Sequence, residues 1–187
     1  GTDVITFFSS FGYNNDGGFF KNNELLQYDR YTFRTNVDAR LAKGLKMGVR
    51  VYGRYENTLN PTRGTDWTFK RILTNDRGIG PFTLDGNNNY TQVPSENTNV
   101  FAELSREASG YDQSQRFQYQ TTIDINYDIP FIKGLSIGAL VAYDGQNNDT
   151  KRLYKNFLLY DYQTGAAKAT SVAPTTLTNT KSDFLIQ

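Results

Sequence analysis

The sequence predicts an all-β protein: an antiparallel meander of long hairpins forming part of a large transmembrane β-barrel, with long extracellular loops that carry one or two short helices. Three observations carry that expectation. Apolar and polar residues alternate with period two over runs longer than ordinary sheet strands, whose mode is about 5–6 residues. Short turns and long polar loops follow one another in strict alternation. No apolar run approaches the ~18 residues a spanning helix needs, although the 187 residues include 13 Tyr and 13 Phe.

The alternation is clearest between residues 28 and 55. Tyr31, Phe33, Thr35, Val37, Ala39 and Leu41 interleave with Thr32, Arg34, Asn36, Asp38 and Arg40. Past Lys43-Gly44, Leu45, Met47, Val49, Val51, Gly53 and Tyr55 interleave with Lys46, Gly48, Arg50, Tyr52 and Arg54. Successive side chains of a strand point to opposite faces, so each run has one apolar and one polar face. The connection is short enough for an antiparallel hairpin, with Gly44 free to take a positive φ. A tilted β-strand crosses a bilayer in about 9–11 residues. Both runs reach that length, and the apolar row is bounded by Tyr31 and Tyr55 at one end and by Leu41 and Leu45 at the other. A soluble sandwich strand alternates in the same way, because one face meets a core and the other meets water. Strand length favours the barrel.

The rest of the chain repeats this unit. Strands are expected at about residues 4–13, 28–41, 45–56, 115–129, 135–144 and 182–187, with long outer loops over 14–27, 56–113 and 144–180. In the second hairpin Phe117, Tyr119, Thr121, Ile123, Ile125, Tyr127 and Ile129 oppose Arg116, Gln118, Gln120, Thr122, Asp124, Asn126 and Asp128. A turn from Pro130 to Gly134 leads into Leu135, Ile137, Ala139, Val141 and Tyr143. Inside the 56–113 loop, Thr65-Asp66 can cap a helix bearing Trp67, Phe69, Ile72 and Leu73 and closed by Gly78. A second helix is expected from Asn99 to Ala108, and a small strand between Leu153 and Tyr162. Barrels of the outer membrane put short turns on the periplasmic side and long loops outside.

Composition removes several function classes. Lys plus Arg total 20 against 19 Asp plus Glu, a net charge of +1, so no strong field favours nucleic acid. With no Cys and no His, disulfides, thiol chemistry, Cys/His zinc sites and imidazole-based triads are all excluded. The hydrophobic fraction of 37% suits a β protein with wet faces. Gly1-Thr2-Asp3 leads directly into a strand without a charged or apolar leader. An exported protein would therefore carry this chain as an internal stretch.

Two segments resemble the SusC/RagA family of TonB-dependent outer-membrane transporters. One is Tyr28-Asp29-Arg30-Tyr31-Thr32-Phe33-Arg34-Thr35-Asn36-Val37-Asp38 followed by Gly44-Leu45-Lys46-Met47-Gly48-Val49. The other, more specific, is Tyr127-Asp128-Ile129-Pro130-Phe131-Ile132-Lys133-Gly134-Leu135-Ser136. Phe11-Gly12-Tyr13 with Asp16-Gly17-Gly18 also fits an early barrel strand and its loop. The resemblance implies a fragment of the early barrel region, with the plug domain absent. It implies a bacterial outer-membrane location, a SusD-like surface lipoprotein, the TonB energy-coupling complex acting through the plug, and glycan or peptide import. No cofactor or metal is implied, and no enzymatic activity.

Candidate contact residues fall into two groups. The polar face carries Arg30, Arg34, Asp38, Arg40, Arg50 and Arg54, expected to line the lumen. There they can meet a plug or polar substrate, but pairing with Asp29, Asp38 and Glu56 across the strands is the stronger account. Trp67, Tyr90, Phe101 and Tyr111 are placed in the longest outer loop, where aromatic rings can stack on sugars or anchor a partner. A small loop core is the better explanation for Trp67 and Phe101, and Tyr90 is open to either. Glu103 and Glu107, four apart, can in principle form an acid/base pair, but a solvated helix face explains them better. Asp16, Asp85, Asp144 and Asp149 lie in Asn/Gly-rich stretches without the spacing of a calcium loop, and turn chemistry accounts for them. The competing function from another class is a soluble β-sandwich carbohydrate-binding module using the 56–113 loop.

Overall fold

The structure is a computed structural model of the chain that describes residues 4–18, 24–74, 81–84, 89–92, 99–168 and 176–186. Its main feature is one six-stranded antiparallel sheet in meander order. The strands are β1 (Ile5–Gly17), β2 (Gln27–Ala42), β3 (Leu45–Asn60), β4 (Gly110–Asp128), β5 (Ser136–Tyr154) and, last in the sheet, β8 (Thr176–Ile186). Between β3 and β4 lie α1 (Thr65–Thr74), α2 (Val100–Leu104) and α3 (Arg106–Ser109). Between β5 and β8 a two-stranded ribbon pairs β6 (Leu159–Tyr160) with β7 (Ala167–Lys168). The all-β meander is what the alternation predicts.

Register turns that alternation into a two-faced surface. One set of rows runs Ile5–Ala39–Met47–Ile125–Ala139, Phe7–Val37–Val49–Ile123–Val141, Ser9–Thr35–Val51–Thr121–Tyr143 and Tyr13–Tyr31–Tyr55–Phe117. Rows on the other face include Ser10–Arg34–Tyr52–Gln120–Asp144 and Asn14–Arg30–Glu56–Arg116–Asn148. The six strands share one continuous sheet, and among the described residues no second sheet stacks on the apolar face. That face is open, with Phe7 64%, Phe11 71%, Ile137 62% and Val141 67% exposed.

The strands overrun the predicted boundaries at their loop ends. Residues 14–17, 57–60, 110–113, 144–152 and 176–180, expected as loop, are strand, and the small strand expected between Leu153 and Tyr162 is divided between the end of β5 and β6. Asp16, Asp144 and Asp149 therefore stand in ladders opposite Tyr28, Gln120 and Gln115, which corrects the turn assignment. Cross-strand polar pairs hold these segments: Arg116 Nε donates to Asn148 Oδ1 (3.1 Å), Gln118 pairs with Gln146, and Lys181 meets Asp149 (3.7 Å). Such pairing outweighs the low β propensity of Asn and Asp. Gly110 takes φ +88, and a Cβ there would lie 1.9 Å from the Leu153 carbonyl oxygen. Only glycine lets β4 start so close to β5.

Helix α1 starts at Thr65 as expected, while the stop at Gly78 and the turn at Asp85 lie outside the described residues. The expected helix from Asn99 to Ala108 is two short helices, because Ser105 is extended (φ −86, ψ 122). Two small cores sit at the loop end of the sheet. Leu25, Leu59 and Tyr111 pack with Leu153, and Tyr90, Ala102 and Leu159 pack with Ala108 and Phe157.

Candidate functional site

Three surfaces carry the candidate residues: an apolar belt, the polar face behind it, and the capped loop end. The belt is built by β1 to β5. On β3 it runs from Leu45 to Tyr55, ten residue steps of about 3.4 Å, or ~34 Å along the strand. Tilting the strand by about 35–45° reduces the height to ~24–28 Å, against ~25 Å for the apolar band of outer-membrane barrels. Aromatic rings edge the belt on the loop side. Tyr31 lies 4.8 Å from Tyr13 and 6.2 Å from Tyr55, and Tyr119 lies 5.7 Å from both Phe117 and Tyr143. One row further out the same face is polar: Asn15, Asp29, Asn57, Gln115 and Asp149 stand side by side. The Tyr13 hydroxyl donates to Asp29 (3.0 Å), so it stands at the boundary with its ring inward and its oxygen outward.

The polar face collects the predicted cations. Arg50 bridges Asp38 on β2 (3.3 Å) and Asp124 on β4, tying three strands together. Arg54 meets Glu56 (3.7 Å), which also accepts the Tyr28 hydroxyl. Asp29, expected to pair with this row, is on the opposite face with Tyr13 and Asn15, and that expectation is corrected. Arg30, Arg34 and Arg40 make no ion pair among the described residues. Arg34, Asn36, Arg50, Tyr52, Gln120 and Thr122 rim an open depression of ≈ 330 Å³. It offers hydrogen-bond donors and acceptors to a polar surface.

At the loop end the four predicted aromatics do not converge. Tyr90 (6% exposed) and Tyr111 (9%) are inside the two small cores, and Tyr111 belongs to β4, not to the loop. Phe101, expected in a loop core, is 54% exposed and stacks on Phe82 with centroids 4.4 Å apart. The adjacent Ala102 takes the inward position on α2. Trp67 is held by cations, with the guanidinium of Arg71 4.2 Å and that of Arg63 5.8 Å from its ring.

Glu103 is not on a solvated helix face. It is 2% exposed and 3.6 Å from Arg63 Nε, and the break at Ser105 separates it from the exposed Glu107. The residue that organises the cap is Asn99, fully buried. Its Oδ1 accepts from the amides of Phe101 (2.9 Å) and Ala102 (3.2 Å), capping α2. Its Nδ2 donates to the carbonyls of Phe82 and Thr91, both at 2.8 Å. An Asn immediately before a helical run is the sequence signal for such a cap, but the two distant carbonyls leave no local trace. No protein-family model, curated protein or solved structure matches the chain.

Proposed function

We propose that this chain is a stretch of barrel wall from a SusC-like TonB-dependent outer-membrane transporter, importing glycans or peptides with a SusD-like surface lipoprotein. The observation that carries it is the belt: one uncovered apolar face, about as tall as a membrane's apolar layer, edged by aromatic rings and then by polar rows. In water such a face is an aggregation surface; against lipid it is satisfied. The likeness of the 127–136 hairpin to the SusC/RagA family narrows the class from barrel to transporter.

The polar face then turns toward the lumen, where Arg30, Arg34 and Arg40 meet a plug or a passing polar solute. A closed wall requires β1 and β8, the two edges of this sheet, to pair with further strands. No helix of the described residues is long and apolar enough to cross a membrane, which bears only on helical spans. Transport itself is energy-coupled movement of a plug, without covalent chemistry in these residues.

The test is membrane fractionation of the tagged whole polypeptide, followed by affinity purification in mild detergent. The expected result is an outer-membrane protein that resists alkaline extraction and co-purifies with a surface lipoprotein. Recovery as a monodisperse soluble monomer that binds glycans would establish the competing carbohydrate-binding module.

A further inference from the structure

We propose that the turn between β4 and β5, residues 129–135, anchors the protein to a phospholipid leaflet. It seats Phe131 and Ile132 at the headgroup boundary, with Lys133 and Lys43 directed toward lipid phosphates. The proposal rests on the barrel-wall function above and adds a contact that a barrel does not by itself require.

The two tight hairpins end at different levels. The β2–β3 hairpin closes at Lys43-Gly44, level with Asp128, whose amide donates to the Gly44 carbonyl (2.8 Å). The β4–β5 hairpin runs on. Ile129 N donates to the Leu135 carbonyl (2.9 Å), Leu135 N donates to the Ile132 carbonyl (3.2 Å), and Gly134 at φ +87 lets the chain reverse. Ile129 and Leu135 lie one row outside the Tyr127–Ile137 edge of the belt, and the tip lies further out. At about 3.4 Å per residue and a tilted strand, that overhang is ~5–10 Å. An interfacial segment buries its apolar side to a similar depth at the headgroup–acyl boundary.

Its tip departs from an ordinary exposed turn, which is polar there: between Pro130 and Gly134 stand Phe131 and Ile132. Phe131 is 92% exposed, Ile132 55% and Leu135 43%. Over residues 129–135 the only charge is Lys133. Lys133 and Lys43 are exposed and make no ion pair among the described residues, whereas Lys46 faces Asp128 at 3.9 Å. Exposed apolar side chains beside unpaired lysines match a leaflet edge, where tails and anionic headgroups adjoin. Continuity with the belt selects lipid over a protein partner as the occupant, since the same wall that meets the bilayer delivers the tip to its surface.

This chain has no cysteine, so with any cysteine elsewhere in the polypeptide replaced by serine, single labels report position. Ile132→Cys and, as a mid-belt control, Val141→Cys carry a nitroxide in the whole polypeptide. The polypeptide is reconstituted in phosphatidylglycerol-containing vesicles and in phosphatidylcholine vesicles. Accessibility to oxygen and to a nickel chelate gives depth. The expected result is a deep label at 141 and a shallow but lipid-seated label at 132. Phe131→Asn should release the 132 label to water. The pair Lys43→Gln and Lys133→Gln should reduce seating in phosphatidylglycerol vesicles and leave phosphatidylcholine vesicles unchanged; no change in either overturns the lysine role. A deep 141 label with a water-exposed 132 label overturns the anchor and leaves the barrel standing. Both labels in water overturn the barrel and the anchor together. A 132 label shielded from both reagents in detergent as well as lipid identifies a protein cover and also overturns it.

Discussion

Val141→Arg separates a lipid-facing wall from a water-facing one. Val141 is 67% exposed and stands on β5 in the row Phe7–Val37–Val49–Ile123, four residue steps from the Ile137 edge of the belt. Those steps are ~14 Å along the strand and ~10 Å in height, close to the middle of a belt ~24–28 Å tall. Arginine at mid-membrane on a barrel's lipid face costs about 2–4 kcal/mol. At about 1.4 kcal/mol per decade that is roughly 30-fold to nearly 1,000-fold in the folded-to-unfolded ratio. Ile137, 62% exposed, is as open as Val141 but lies at the rim. There arginine costs only about 0–1 kcal/mol. Exposure alone predicts equal effects for the two, each within about 0.5 kcal/mol, as for an ordinary surface site. The assay is urea unfolding from lipid vesicles followed by tryptophan fluorescence. A V141R cost indistinguishable from that of I137R, with both near zero, would refute the lipid-facing assignment.

Further outcomes test the cap and the polar face. Asn99→Ala removes the α2 cap and the Nδ2 bond to the buried Thr91 carbonyl, at a cost of about 1–3 kcal/mol; limited proteolysis should cut the loop region faster and spare the strands. Arg63→Met leaves Glu103 without its guanidinium. It should destabilise by about 1–3 kcal/mol, reduced from the fully buried case because Arg63 is 44% exposed. The double variant R63M/E103Q should recover part of that loss in a double-mutant cycle. Arg50→Gln unties Asp38 from Asp124 and should cost ~1 kcal/mol, a cost that shrinks as salt is added because Asp38 is 62% exposed. An R50Q cost unaffected by salt would argue against the bridge.

The strands were legible where one face had to be greasy. From Leu45 to Tyr55 and from Phe117 to Tyr127 the alternation gives element type and face, while the register, with its shift between Arg40 and Ala42, is set by the turns and leaves no such trace. Beyond the aromatic row both faces become polar, and the period-two signal disappears while the hydrogen-bonded ladder continues. Asn147-Asn148-Asp149 therefore looks like a turn in isolation and is a strand because Phe117, Arg116 and Gln115 lie opposite. The cap was less legible still. Tyr90 is buried by Ala102 and Leu159, residues far along the chain from it. Local pattern cannot distinguish that environment from an exposed ring. Glu103 is similar: its partner Arg63 is forty residues away, and nothing near it in the chain signals burial.

The ladders that outlast the belt act as a pedestal. On β3 they continue from Tyr55 to Asn60, five further steps or ~17 Å along the strand, which a tilt of about 35–45° turns into ~12–14 Å of rise. Headgroups occupy only about 5–7 Å on each side of a bilayer. In the barrel wall proposed above, that stand-off would hold the Asn99-centred cap clear of the lipid surface, where an arriving solute or lipoprotein would meet it in open water.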